Sequence, residues 1–204
     1  MPAQPLLVVV SGPSGSGKGT LCKMLREALP ELSYSISLTT RLPRGDEQNG
    51  VEYFFVSKEE FQKRIEAGEF LEWAEVYGHY YGTLCSSVKT LLQRGKDVLL
   101  ELDIQGGRRV KQVFPEAVLI FIRPPSLEEL SARITKRGTD DKAAINVRLS
   151  CAPDELQAAK SYDHVIDNNI KEQAFADLLN IIEREKSARR RGQGGMNSER
   201  RTEF

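Results

Sequence analysis

The chain has 204 residues, with 29 Lys and Arg against 29 Asp and Glu, 40% apolar and 28% charged residues. This composition excludes a disordered chain, and the zero formal charge argues against a protein that coats nucleic acid or an acidic membrane. The length suits one domain with an insertion. Residues 6–10 (LLVVV) are apolar and β-branched, which predicts a strand buried on both faces of a parallel sheet. A glycine-rich turn follows, then a helix over 18–28 with Leu21, Leu25 and Ala28 on one side. Residues 98–102, 117–122 and, more weakly, 164–166 are further strands, separated by helical patterns. Strands alternating with helices predict an α/β domain with a parallel sheet flanked by helices.

The stretch 35–87 breaks that rhythm. It holds short runs at 53–56, 70–76 and 80–81 and a helix near 58–67, and reads as an inserted subdomain of short antiparallel strands. The polar segment 137–142 (RGTDDK) joins two helices and is a candidate mobile lid, taken as 133–148. Residues 183–204 hold seven Lys and Arg against four Asp and Glu, leaving the body with 22 against 25. That Gly-rich end, from 185 onward, is expected to be a flexible basic tail. Cys22, Cys85 and Cys151 are far apart, no CxxC occurs and only two His are present. This argues against a zinc site and fits reduced thiols in a cytoplasmic protein. Cys85 reads as a small buried filler rather than a reactive thiol. No signal peptide and no membrane span are expected.

After the first strand the chain reads Gly12-Pro13-Ser14-Gly15-Ser16-Gly17-Lys18-Gly19-Thr20. Glycines let the backbone wrap so that several N–H groups converge on phosphate oxygens, and the following helix adds its N-terminal dipole. Lys18 supplies a mobile charge at a helix mouth where a cation has no structural purpose. The general pattern places Ser or Thr directly after the lysine as a magnesium ligand. Here that place is Gly19, which leaves Thr20 as the candidate hydroxyl. This GKGT form is often seen in nucleoside-monophosphate kinases. The loop predicts a nucleoside triphosphate site without naming the reaction.

The inserted segment carries Ser37, then Thr39-Thr40-Arg41-Leu42-Pro43-Arg44, Tyr53, Leu71-Glu72-Trp73 and Tyr80-Tyr81-Gly82-Thr83; Glu101-Leu102-Asp103 lies beyond it. Read singly, Glu72 is a strand-surface charge, Arg41 and Arg44 a solvated turn, and Tyr53 and Tyr81 core aromatics. Together, in order and spacing, these motifs resemble the guanylate kinase family over residues 5–184.

The resemblance implies a P-loop core (5–34 and 88–184) with a GMP-binding insertion at 35–87. It also implies transfer of the γ-phosphoryl group of ATP to GMP, with Mg²⁺. Arg41, Arg44, Tyr53 and Tyr81 would hold the GMP phosphate, and Ser37, Glu72, Thr83 and Asp103 would face the base. Guanidinium forks suit phosphate oxygens, and a carboxylate can accept from both guanine N1–H and the N2 amine. Gly12 through Thr20, Arg133, Arg137 and Asn168 would bind ATP, and Arg148 would reach GMP. Lys18, Arg41, Arg137 and Arg148 would neutralise the transferring group. Asn168 sits in Asp167-Asn168-Asn169 where the family usually has Val-Asn-Asp.

Asp103 closes a buried strand and is a candidate outer-sphere magnesium partner as well as a base contact. Glu101 is expected on the opposite side, and the sequence leaves open which serves the metal. ATP and GMP are the expected partners, with a homodimer entertained and no nucleic acid or membrane. Two rival readings are a non-enzymatic guanylate-kinase-like module that binds phosphopeptides and a P-loop kinase of a phosphorylated sugar.

Overall fold

The structure is a computed structural model that describes residues 4–76, 78–136 and 142–199, with only the backbone of 142–144 and 192–199. Its main sheet has five parallel strands in the order β2-β7-β1-β8-β9. These are β1 (Leu7–Ser11), β2 (Ser33–Tyr34), β7 (Val98–Glu101), β8 (Val118–Arg123) and β9 (His164–Asp167). Each long apolar run of the sequence is one of them. Only β2, two residues long, escapes the sequence reading, because so short a strand has no periodicity to show.

Alternation along β1 builds the two halves of the core. Val8 and Val10 face α1 (Lys18–Ala28) and α7 (Lys171–Glu199), packing with Leu21, Leu25, Leu178 and Ile182. Leu7 and Val9 face α3 (Cys85–Gln93) and α4 (Ile104–Val113), packing with Val88, Val110 and Phe121. A strand covered by helices on both faces has no polar side, which is why β1 reads as a continuous apolar run.

The second sheet, β4-β3-β6-β5, is the inserted lobe. It comprises β3 (Leu38–Thr39), β4 (Phe54–Phe55), β5 (Phe70–Val76) and β6 (His79–Leu84), with α2 (Lys58–Glu66) beside it. Phe61 of α2 is fully buried and stacks on Phe70 and Tyr80. The expectation of antiparallel strands holds for β3–β6 and β5–β6, but β3 and β4 pair in parallel. The fourteen residues between them, 40–53, travel back through a turn instead of forming a hairpin. A β-bulge between Phe70 and Glu72 sets Glu72 opposite Thr83, so Glu72, Ala74 and Val76 share one face.

Helices α5 (Leu127–Lys136) and α6 (Lys142–Gln157) pack through a small core of their own, Leu130, Ile134 and Ala152. The backbone of α7 runs on to Glu199, through part of the stretch expected to be a flexible tail. Past residue 184, Glu185 bonds His164 at 2.9 Å, Lys186 pairs with Asp97 at 2.9 Å, and Arg189 donates to the carbonyls of Pro5 and Glu116. Those three side chains tie residues 185–189 of the helix to the segments that enter the sheet.

Candidate active site

Strand order reverses about β1, with β7 on one side and β8 on the other, and ligands of open α/β sheets gather at the carboxyl ends beside such a reversal. Here the loop 12–17 leaves β1 and enters α1, whose N-cap is Gly17. Gly17 has φ 95°, and a Cβ on it would lie 2.2 Å from Asn168 Nδ2. The position therefore requires glycine twice over, for its backbone and for space. Asn168 donates to the Ser16 carbonyl at 2.8 Å, which braces the loop from β9. Ser16 itself donates its main-chain N–H to Pro13 at 3.1 Å, closing the turn. Lys18 Nζ folds over the loop to the Gly12 carbonyl at 3.2 Å.

One cleft brings together ten of the sequence-predicted residues. Gly12, Ser14 and Lys18 form its loop wall, and Ser37, Arg44, Tyr53, Glu72 and Tyr81 its lobe wall, with Asp103 and Arg148 at its ends. Thr83 is fully buried behind them and meets Ser37, hydroxyl to hydroxyl, at 3.0 Å. Glu72 accepts from Thr83, while its Oε1 is buried with no hydrogen-bond partner among the described residues. Burial, reinforced by the charge of Asp103, pushes the Glu72 carboxyl up to about 7. Asp103 caps α4, its Oδ1 accepting from Gly106 N at 2.7 Å.

Gly15, Gly17, Thr20, Arg133 and Asn168 lie in a second groove on the other side of the loop, with Lys171. Arg133 pairs with Glu129 at 3.0 Å and reaches the Asn168 carbonyl. Thr20 is thus apart from the cleft carboxylates. Gly19 is exposed, and a Cβ there would come within 3.2 Å of Glu101 Oε1. A larger residue after Lys18 would crowd that carboxylate. Glu101 and Asp103 line the same cleft, which corrects the expectation that they diverge. Two positions apart at the end of a strand, they share a face. Arg137 lies outside the described residues.

Arg41 is the largest departure. It does not line the cleft; its guanidinium is buried and engaged by Glu47. Sequence reasoning missed Glu47, because nothing in an Arg-Gly-Asp-Glu turn marks one carboxylate as an arginine partner. It also missed Glu155, which lines the cleft and takes the Ser14 main-chain N–H, while Arg148 donates to Ser14 Oγ at 3.0 Å. Arg148 and Glu155 are seven apart, two turns along one face of α6. That spacing was a readable signal. Burial raises the Glu155 carboxyl above its ordinary range against the pull of Lys18, and its Oε2 is buried without a hydrogen-bond partner among the described residues.

A sequence model of the guanylate kinase family matches residues 4–185. The chain belongs to the guanylate kinase family. The guanylate kinase of Clostridioides difficile is 49% identical over 182 residues, 89% of each chain. That of Fusobacterium nucleatum is 52% identical over 177 residues, 87% of this chain and 95% of its own. The crystal structure of guanylate kinase from Anaplasma phagocytophilum superposes with a TM-score of 0.76 at 33% identity, covering 90% of this chain and 87% of that one. The guanylate kinase fold therefore accounts for both sheets described above, the parallel core and the inserted lobe.

Proposed function

We infer that this chain transfers the γ-phosphoryl group of ATP to GMP, giving ADP and GDP. One observation carries the reading beyond family membership. A phosphate loop with its lysine and a lobe bearing a buried carboxylate with an unmatched oxygen face each other across a single cleft. Guanine N1–H and N2 amine are the donors that Glu72 lacks, and adenine has no N1 donor to give it. Ser37 and Thr83 share a hydroxyl contact and can turn a donor toward O6. A site built on such pairs rejects the wrong base by ~10⁴-fold or more.

The GMP phosphate would lie between Arg44, Tyr53 and Tyr81 on the lobe and Lys18 on the loop, with Arg148 closing from α6. No protein base is needed, since a phosphate monoester's second pKa is ~6 and the nucleophile is already ionised near neutrality. The chain supplies position and positive charge, and the lobes exclude water as a wasteful acceptor. Glu101 and Asp103 beside Lys18 are hard oxygen donors that fit a hydrated magnesium ion carried in on the ATP phosphates. They are better placed for it than Thr20. When bound, the ion offsets charge on the β- and γ-phosphates.

The test is a coupled assay of ADP release with GMP, AMP, CMP or no acceptor. Turnover with GMP alone is expected. Equal ADP release with AMP, or release with no acceptor added, would overturn the reading.

A further inference from the structure

The acceptor lobe contains a charge that neither base nor phosphate recognition has used. Glu47 sits in the turn after Arg44 and holds both arginines of the Thr-Thr-Arg-Leu-Pro-Arg segment. A guanidinium has five N–H donors in a fixed plane. On Arg41, Nη1 gives one to Glu47 Oε2 at 2.8 Å and one to the Leu42 carbonyl at 2.7 Å. Nη2 gives one to Glu47 Oε1 at 3.0 Å, and Nε gives one to Tyr81 Oη at 3.2 Å. The end of the fork is therefore taken bidentately by Glu47. Among the described residues the second Nη2 hydrogen alone is left without an acceptor, on the edge whose Nε–H is taken by the Tyr81 hydroxyl at the cleft wall. The guanidinium carbon lies over the Tyr53 and Phe55 rings, 5.3 and 5.8 Å from their centroids.

The same carboxylate reaches the other arginine through its backbone. Glu47 Oε2 accepts from Arg44 N at 2.8 Å, while Glu47 N donates to the Arg44 carbonyl at 3.1 Å. Those two bonds close the turn that presents the Arg44 side chain to the cleft. Partial burial works against the Glu47 charge, but its bonds from Arg41 and Arg44 outweigh that and hold its carboxyl below the usual range.

We propose that Glu47 is the positioning residue of the acceptor-phosphate clamp: it fixes the plane of Arg41 and the backbone of Arg44 together, so that an incoming phosphate monoester meets a clamp already set. The proposal rests on reading the lobe as the GMP site. It differs from the opposite possibility, in which Glu47 merely fills the place of the phosphate and must be displaced. The Nη2 hydrogen on the Tyr81 side decides between them, because a phosphate can take it, and the Nε–H once the Tyr81 hydroxyl turns away, while Glu47 keeps the end of the fork.

The experiment is Glu47→Gln, with Arg44→Ala alongside it, in steady-state kinetics on the full chain. Glutamine keeps the length, removes the charge and turns an N–H toward the guanidinium. The GMP KM is expected to rise about tenfold or more, with the ATP KM unchanged. Inhibition by guanosine, which has a base and no phosphate, should stay as in the unmodified chain. A GMP KM that is unchanged or lower in Glu47→Gln overturns the proposal. So does a parallel loss in ATP KM and guanosine inhibition, which would place the effect in the fold. If Arg44→Ala raises the GMP KM while Glu47→Gln does not, the proposal alone fails. If neither substitution moves it, the reading of the lobe fails with it.

Discussion

Two side chains in the cleft have opposite characters. Lys18 is mobile and parks on the Gly12 carbonyl, a contact that matters little to the fold. Lys18→Ala is therefore expected to lower kcat about 10²–10³-fold with an unchanged melting temperature, which steady-state assay and thermal melting check together. Glu72 is buried and costs stability when ionised. Its carboxyl stands at about 7 in the fold against 4.5 for the free group, so the native state holds the extra proton between those values. The penalty is absent below about 4.5, grows across the window, and is complete above about 7, where it amounts to about 3 kcal/mol. Glu72→Gln cannot titrate. Its melting temperature should match the unmodified chain in acid and exceed it increasingly toward pH about 8, while its preference for GMP over AMP collapses. A constant offset at all pH values would show that the Glu72 charge is not the source.

At the scale of elements, residues 185–189 of α7 make contacts that the sequence reading did not anticipate. Composition reads 185–204 as polar and basic, hence loose, yet Lys186 and Arg189 reach partners about 90 and 180 positions earlier. No local pattern encodes such pairings. Truncation after Arg184 is expected to lower stability by about 1–3 kcal/mol in urea titration, since it removes the His164, Asp97 and Pro5 ties together. The same distinction explains what was legible elsewhere. The strands of the parallel sheet are visible because burial on both faces leaves runs such as LLVVV, and the phosphate loop because its glycines stand at fixed intervals. The lobe residues were legible only as a set. The bulge that turns Glu72 into the cleft depends on which strand β5 meets, and the capture of Arg41 by Glu47 depends on how a turn closes. Both lie beyond what spacing along the chain can carry.

At the scale of the whole molecule, the two sheets meet where β5 of the lobe leans on α4 of the core. Gly106 of α4 faces Glu72 so closely that a Cβ there would lie 2.6 Å from Oε2 and 3.3 Å from Asp103 Oδ1. Gly106→Ala should leave the phosphate loop untouched and keep the ATP KM, while raising the GMP KM and lowering kcat together. A change in the ATP KM of similar size would mean that the whole core had shifted.

The seating of Glu72 against Gly106 gives that carboxylate two tasks. It travels with the lobe yet bears on the core, so one contact touches both the angle between the halves and the recognition of the purine. A mismatched nucleotide is then penalised twice, once where its edge goes unanswered and again where its phosphate arrives out of line with the donor. Fidelity in such a machine is expressed in turnover as well as in grip.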